Sequence, residues 1–280
     1  MKIGFIGAGK VGVSLGKYLT EHKVSVTGYY SKTLKSSIEA AEFTNTRTYE
    51  KVRYLVEDSD AIFLTVPDGI IKEVWEKLKV LPIENKIISH FSGSLSSTVF
   101  SDISRYDAYG YSIHPLFAIN DKYNSYKKLA KSFFTMEGHE KYLYQLSRLF
   151  ESVGNQVVVI QAEEKVQYHA SATMVSNLYV GLISLGEKML IDCGFTRDQA
   201  HKALTPLIQG NTENILSYGL KDALTGPIER NDHLTILNHL RVLNPPEREV
   251  YKVLSRQVIK VAEAKHKDRN YEEIKGVIKE

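Results

Sequence analysis

Gly7, Gly9 and Gly12 lie within Gly7-Ala8-Gly9-Lys10-Val11-Gly12, directly after an apolar run containing Ile3, Phe5 and Ile6. An amphipathic stretch with Val11, Leu15, Tyr18 and Leu19 follows them. Strand, glycine turn, helix is the order that binds a dinucleotide. The first glycine permits the sharp turn, the second lets a pyrophosphate lie against the backbone, and the third lets the helix press on the strand. Free N–H groups and the positive end of the helix dipole then hold the phosphates. The next strand, Val24 to Tyr29, runs into Tyr30-Ser31-Lys32-Thr33. An NAD site places an acid about 20 residues beyond the glycines for the ribose 2′-hydroxyl. Two hydroxyls and a lysine stand here instead, a set suited to a 2′-phosphate. NADP is therefore the expected cofactor, with NAD less favoured.

Three further strand ends carry polar or turn-forming residues: Val66-Pro67-Asp68, Ser92-Gly93-Ser94 and Ser112-Ile113-His114-Pro115. In an open α/β sheet the ligand crevice lies beyond such ends. Val66, Pro67, Asp68, Ser92 and Gly93 are expected at the cofactor's ribose or nicotinamide, although ordinary turn chemistry would select the same residues. Downstream, His169, Thr173 and Asn177 are spaced by four, hence on one face of a helix, with Ser176 beside them. Buried polar groups need partners, so this patch is either a satisfied network or a ligand site. His169 is the candidate proton donor, because an imidazole titrates near neutrality. Asn177 would orient substrate, and His114 is a second acid–base candidate. Arg230, in Ala223 to Asp232, either clamps an anionic group on the substrate by a two-pronged contact or pairs with Glu229 or Asp232 and fixes a loop.

These residues need two kinds of scaffold. Ala61 to Val66 is a continuous apolar strand, as in a parallel sheet covered on both faces. Lys86 to Phe91, Tyr109 to Ile113, Phe133 to Met136 and Gln156 to Ile160 read as further strands, with helices over Ile70 to Leu81 and Glu140 to Val153. Strand signals then cease. Glu163 to Asp192 reads as one helix about 45 Å long, followed by helices over Thr196 to Leu207, Ile208 to Tyr218, Leu234 to Leu240 and Glu247 to Lys265. The fold expected is α/β: a doubly wound, mostly parallel Rossmann sheet over residues 1–160, then an all-α domain over 161–280 for substrate and dimer contacts.

The 280 residues carry a net charge of +3, 43% hydrophobic and 25% charged residues, an ordinary globular composition with no basic block for nucleic acid. The single cysteine, Cys193, fits a reducing compartment and a buried thiol. The stretch from Ala170 to Gly186 lacks charge but is interrupted by Ser171, Thr173, Ser176, Asn177 and Ser184. It reads as a helix buried within protein, not a membrane span. Neither a leader segment nor a metal set is expected: no HExxH and no CxxC occurs. A cytoplasmic homodimer acting on a small molecule is the expectation.

The glycine turn, Ser92-Gly93-Ser94, Ser112-Ile113-His114-Pro115-Leu116, Tyr168-His169 with Asn177, Pro206-Leu207 and Ala223-Leu224-Thr225-Gly226-Pro227-Ile228-Glu229-Arg230-Asn231-Asp232 resemble, over nearly the whole length, Rossmann-like proteins carrying the C-terminal domain of unknown function 2520. The resemblance implies an NADP-dependent oxidoreductase, similar in architecture to pyrroline-5-carboxylate reductase and to deazaflavin-dependent NADP reductases. The family pattern ends in R-G-D, whereas Asn231 replaces the glycine here. Hydride transfer between nicotinamide and a small carbonyl, imine or alcohol is the reading this supports. A non-catalytic NADP-binding sensor or regulatory protein is the alternative.

Overall fold

The computed structural model describes residues 1–279, in two compact units, Met1–Val175 and Ser176–Glu280. The first unit runs β1 (Ile3–Ile6), α1 (Lys10–Glu21), β2 (Val26–Tyr30), α2 (Leu34–Thr44), β3 (Arg47–Thr48), α3 (Val52–Asp58) and β4 (Ala61–Leu64). It continues with α4 (Asp68–Leu78), β5 (Ile87–His90), β6 (Tyr109–Pro115), β7 (Phe133–Gly138), α5 (Glu140–Ser152), β8 (Gln156–Val159) and α6 (Lys165–Val175). Among the described residues the strands form one eight-stranded sheet in the order β3-β2-β1-β4-β5-β6-β7-β8. Only β6 and β7 pair antiparallel. The order in which strands are added reverses between the parallel neighbours β1 and β4, the place where a doubly wound sheet opens its crevice.

Every residue of β1, β4 and β5 is buried, as expected of strands covered on both faces. Alternation splits their side chains between two cores. Phe5 and Phe63 pack on one face with Val13, Leu15 and Leu19 of α1. Ile6, Ile62 and Leu64 pack on the other with Ile71 and Trp75 of α4. The close approach of α1 needs its glycines: a Cβ on Gly12 would lie 2.3 Å from Thr65 Oγ1 and 2.5 Å from the Gly7 carbonyl.

The second unit holds α7 (Asn177–Asp192), α8 (Arg197–Ala223), α9 (His233–Val242), α10 (Pro245–Lys265) and α11 (Glu272–Lys279). Its core is Ile228, Ile236, Leu240, Ile259, Ala262, Tyr271, Ile274 and Ile278. Several expectations change here. The long helix is interrupted at Ser176, whose φ of −114° and ψ of −81° are not helical, so α6 and α7 are separate. The compact units therefore divide one helix later than residue 160, with α6 held to the sheet unit. Ala162–Asp192 is long and apolar enough, by length and composition alone, to cross a membrane.

The expected burial of this stretch is not found within the chain. Val166, Met174, Val175, Leu178 and Val180 are all more than half exposed. Cys193 is likewise exposed, at the end of α7, and not buried. The two helices expected on either side of Leu207 are one, α8, which carries Pro206 inside it and turns out of helical geometry at Gly219. A proline removes one backbone bond but need not end a helix packed on its neighbours.

Candidate active site

The glycine turn is built as its spacing requires, but its three glycines answer to different demands. Gly7 has φ +112°, a backbone that L side chains rarely adopt. Gly12 is fixed by its contact with Thr65. Gly9 has an ordinary φ of −81°, and a Cβ there would meet nothing within 4 Å. Neither backbone strain nor packing inside the chain asks for glycine at position 9. Gly9 is also the N-cap of α1, which has no side-chain cap and no acid in its first turn. The N–H groups of Lys10, Val11 and Gly12 are thus left to an outside acceptor. A diphosphate lying over Ala8-Gly9 fits both features.

Tyr30 ends β2, and Ser31, Lys32 and Thr33 lead into α2. Lys32 is exposed, and Thr33 shares a hydrogen bond with Ser36, 2.7 Å. Val66 and Pro67 form the turn after β4, with Pro67 at the N-cap of α4. Asp68 reaches sideways: its Oδ2 accepts from Ser92 Oγ at 2.7 Å and from Ser94 Oγ at 3.3 Å. The turns after β4 and β5 are tied together in this way. His90 holds the second turn from beneath. The Ser92 N–H donates to its Nδ1 at 3.3 Å, which leaves Nε2 to donate to the Ser96 carbonyl, 3.1 Å. Burial pushes the His90 imidazole down to about 4, so it stays neutral.

Over this turn come three side chains of α6. Lys165 is 1% exposed and donates from Nζ to the Ser92 carbonyl at 3.0 Å. Burial lowers its ammonium to about 8, against the pull of the Glu137 and Asp68 carboxylates. Glu137, itself buried, accepts from the Ser97 N–H at 2.6 Å and the Ser97 hydroxyl at 2.7 Å. Three and four residues after Lys165, Tyr168 and His169 meet His114 of β6. His114 Nδ1 lies 2.8 Å from the Tyr168 hydroxyl. A Cβ on Gly93 would lie 2.4 Å from His169 Nδ1 and 2.9 Å from His114 Nε2. Gly93 is therefore required by two imidazole nitrogens converging on one spot. His169 Nδ1 is buried there without a hydrogen-bond partner among the described residues.

Burial, and then the positive charge of Lys165, push His114 down to about 3. The sequence offers His114 as an acid–base group; its lowered value leaves the ring uncharged at neutral pH. Residues 169, 173 and 177 do not belong to one continuous helix, as their spacing by four assumes. Thr173 returns its hydroxyl to the His169 carbonyl, 3.0 Å, while Asn177 begins α7 in the other unit and accepts from Ser176 Oγ, 3.0 Å. Lys165 was not singled out from sequence, because a lysine at a helix start after Glu163 and Glu164 reads as a solvated charge.

In the second unit, the Asn231 replacement has a clear basis. Asn231 has φ +62°, and asparagine is the side chain that best tolerates the left-handed region a glycine would otherwise occupy. Its Nδ2 donates to the Asn270 carbonyl at 2.9 Å. Glu229 is held by His266 and Arg269, and Asp232 caps α9 by accepting from the Thr235 N–H at 3.0 Å. Arg230 is exposed, and its charge acts on Asp232 without forming an ion pair among the described residues.

The chain is similar to known proteins in two stretches. Residues 132–258 match the domain of unknown function (DUF2520), and residues 2–93 match the family described as NADP oxidoreductase, coenzyme F420-dependent. The two matches follow one another along the chain, the oxidoreductase family toward its N-terminus and the domain of unknown function toward its C-terminus. A solved protein from Thermotoga maritima is 25% identical with a TM-score of 0.73, covering 94% of this chain and 98% of that one. The pyrroline-5-carboxylate reductase of Streptococcus pyogenes shares the fold at 18% identity and TM-score 0.62, over 94% and 98% of the two chains. That of Plasmodium falciparum, solved with NADP bound, does so at 14% and 0.58, over 99% and 98%. Among curated proteins no sequence match is found.

Two outcomes follow from this geometry. Gly9→Ala should lower the melting temperature less than Gly12→Ala does, by no more than the roughly 1 kcal/mol that alanine costs at an N-cap, and weaken pyridine-nucleotide binding at least tenfold by calorimetry. Gly12→Ala should destabilise the fold by about 1–3 kcal/mol through overpacking; equal melting temperatures for the two variants would contradict the division of roles. The second outcome concerns Lys165. Between pH 8 and the unfolded lysine value of about 10.4 the unfolded chain binds a proton that the folded chain has released, so stability rises with pH. Relative to Lys165→Met, the wild type should gain a few degrees in melting temperature between about pH 7.5 and 10.5. A gap that does not change with pH would show the amine to be solvated.

Proposed function

We propose that the protein is an NADP-dependent oxidoreductase acting on a small carbonyl, imine or alcohol substrate. The observation that carries this reading is Gly9, a glycine that nothing inside the chain demands, at the uncapped start of α1. Bound there, the nicotinamide cofactor would supply or accept the hydride. The match of residues 2–93 to an NADP oxidoreductase family and the shared fold of reductases support the class.

The residues divide the remaining work. Gly7 to Gly12 would hold the diphosphate on backbone N–H groups. Ser31, Lys32 and Thr33 would hold the 2′-phosphate, and the absence of an acid among them favours NADP over NAD. Val66, Pro67, Ser92 and Gly93 line the ends of β4 and β5 from which the nicotinamide side would be contacted. His169 would give the proton to the developing anion, because its Nδ1 is buried, unpartnered and directed over Gly93. Neutral His114 would stay fixed beside it. Two imidazoles converging on Gly93, with a buried amine on the neighbouring Ser92 carbonyl, favour an enzyme over a nucleotide sensor, for which these groups have no evident use.

A second copy of the chain, we propose further, covers the exposed apolar side chains of α6 and α7, Val166, Met174, Val175, Leu178 and Val180. Sedimentation should give twice the chain mass; a monomer at micromolar concentration would refute it. For the activity, thermal shifts with NADP, NADPH, NAD and NADH should rank the phosphorylated pair first. NADPH oxidation across a carbonyl and imine panel should then fall by about 10²–10⁴-fold in His169→Ala. No stabilisation by any of the four nucleotides overturns the cofactor reading, and undiminished turnover removes His169.

A further inference from the structure

We propose that Tyr29 is a positioning residue for the cofactor: its buried hydroxyl, bonded to Gly12 of α1, fixes the separation between the diphosphate turn and the residues that take the 2′-phosphate. The assignment of those two phosphate sites rests on the NADP reading.

Tyr29 stands in β2, two residues before Ser31, and is fully buried. Its ring stacks on Phe5 of β1, with centroids 5.2 Å apart. Its hydroxyl donates to the Gly12 carbonyl at 3.2 Å. The direction of that bond is unambiguous, because a carbonyl only accepts. The same oxygen meets Thr44 of α2, whose own hydroxyl donates to the Ala40 carbonyl at 2.8 Å. Burial raises the phenol's pKa, so its proton stays in place. One oxygen thus touches α1, which starts at Gly9 of the glycine turn, and α2, which starts at Thr33.

Gly16 is an independent sign that this oxygen, and not only the ring, is accommodated. A Cβ there would lie 1.7 Å from the phenol oxygen. Gly16 lies inside α1 and is not among the glycines of positive φ, so no backbone angle asks for it. Glycine weakens a helix interior, and a phenylalanine at position 29 would fill the core with no polar atom to desolvate. Two choices against stability therefore meet at one hydroxyl.

The use of that hydroxyl follows from a second tie between the same parts. The Gly7 N–H donates to the Tyr30 carbonyl at 2.9 Å and joins the glycine turn to the end of β2. A single bond lets the joined parts pivot about it. The bond from Tyr29 to the first turn of α1 removes the pivot. Each phosphate site also has support of its own: Thr65 Oγ1 donates to the Gly7 carbonyl at 2.9 Å, and Thr33 shares its hydrogen bond with Ser36. Either site would stand without Tyr29, whereas a ligand that occupies both gains from their fixed separation. For such a ligand the second contact is intramolecular, and a rigid spacing raises its effective concentration.

The test compares Tyr29→Phe with the wild type for three probes. NADP would occupy both sites, adenosine 5′-diphosphate lacks the 2′-phosphate, and adenosine 2′-monophosphate lacks the diphosphate. Affinity for NADP should fall about fivefold, the weight of one ordinary hydrogen bond. Affinities for the two fragments should change by less than about twofold, since neither spans the gap. Gly16→Ala, whose Cβ would displace the phenol oxygen, should show the same pattern and decides the matter if Tyr29→Phe does not fold. An unchanged affinity for NADP in the folded variant overturns the proposal, whatever happens to the melting temperature. A parallel fall for all three probes overturns it too, because it marks a phenol that only supports the fold. A wild type that binds none of the probes overturns the NADP reading first and the proposal with it, so the two failures are told apart by the wild type alone.

Discussion

The geometry of the site depends on where the first turn of α6 is tied to the sheet. Lys165 makes that tie: it is buried to 1% exposure, and its amine donates to the Ser92 carbonyl at the end of β5. Residues three and four positions later share its helical face, so anchoring 165 delivers Tyr168 and His169 to the end of β6, where His114 stands. The anchor point is itself immobilised. His90 takes the Ser92 N–H, Asp68 takes the Ser92 and Ser94 hydroxyls, and the chain between them has little freedom to move. Release of this one amine would leave the Ser92 carbonyl without its partner and the α6 side chains without a fixed address.

Glycines at this end of the sheet separate into those the fold compels and those it does not. Gly12 is compelled by Thr65 and Gly93 by the two imidazoles, each through a contact no Cβ could share. Gly7 is compelled by its backbone angle. Gly9 is compelled by nothing in the chain, which is why it speaks for a ligand more strongly than the complete motif does. A motif records that three glycines are present. Only the contacts around each one tell packing apart from recognition.

Much of the sheet was legible in the sequence because its strands are short apolar runs closed by turn residues, and such runs resist any other reading. β1, β4 and β5 fall within a residue or two of where the pattern puts them. β3, two residues long, carries too little pattern to be seen, and the break at Ser176 is marked by no proline or glycine. That break matters because it puts Asn177 at the start of a separate helix, whereas the sequence-level patch assumes one continuous helix from His169. His114 and His169 were legible as chemistry, since imidazoles at a strand end and at the border of a stretch without charge, Ala170 to Gly186, are conspicuous. Their electrostatics were not: the charge state of His114 depends on a lysine 51 positions away in the chain, which local spacing cannot supply. Asn231 shows the converse, a departure from the resembled pattern that the left-handed backbone explains.

A buried ammonium is a poor choice if stability alone is at stake. Its desolvation costs several kcal/mol, and an apolar residue of similar size often serves the fold as well or better. Asp68 and Glu137 offset part of that cost, but the depressed ammonium value shows that burial still dominates. What the amine supplies that an apolar residue would not is a donor to Ser92 and a positive potential at His114. Burial first, and then that potential, keep His114 uncharged, and an uncharged imidazole beside a second one can donate or accept without first losing a proton to solvent. Departures from the most stable arrangement collect where a protein does chemistry. In this sheet unit the Lys165 cation sits on the Ser92 carbonyl, one residue from the glycine where two imidazole nitrogens meet.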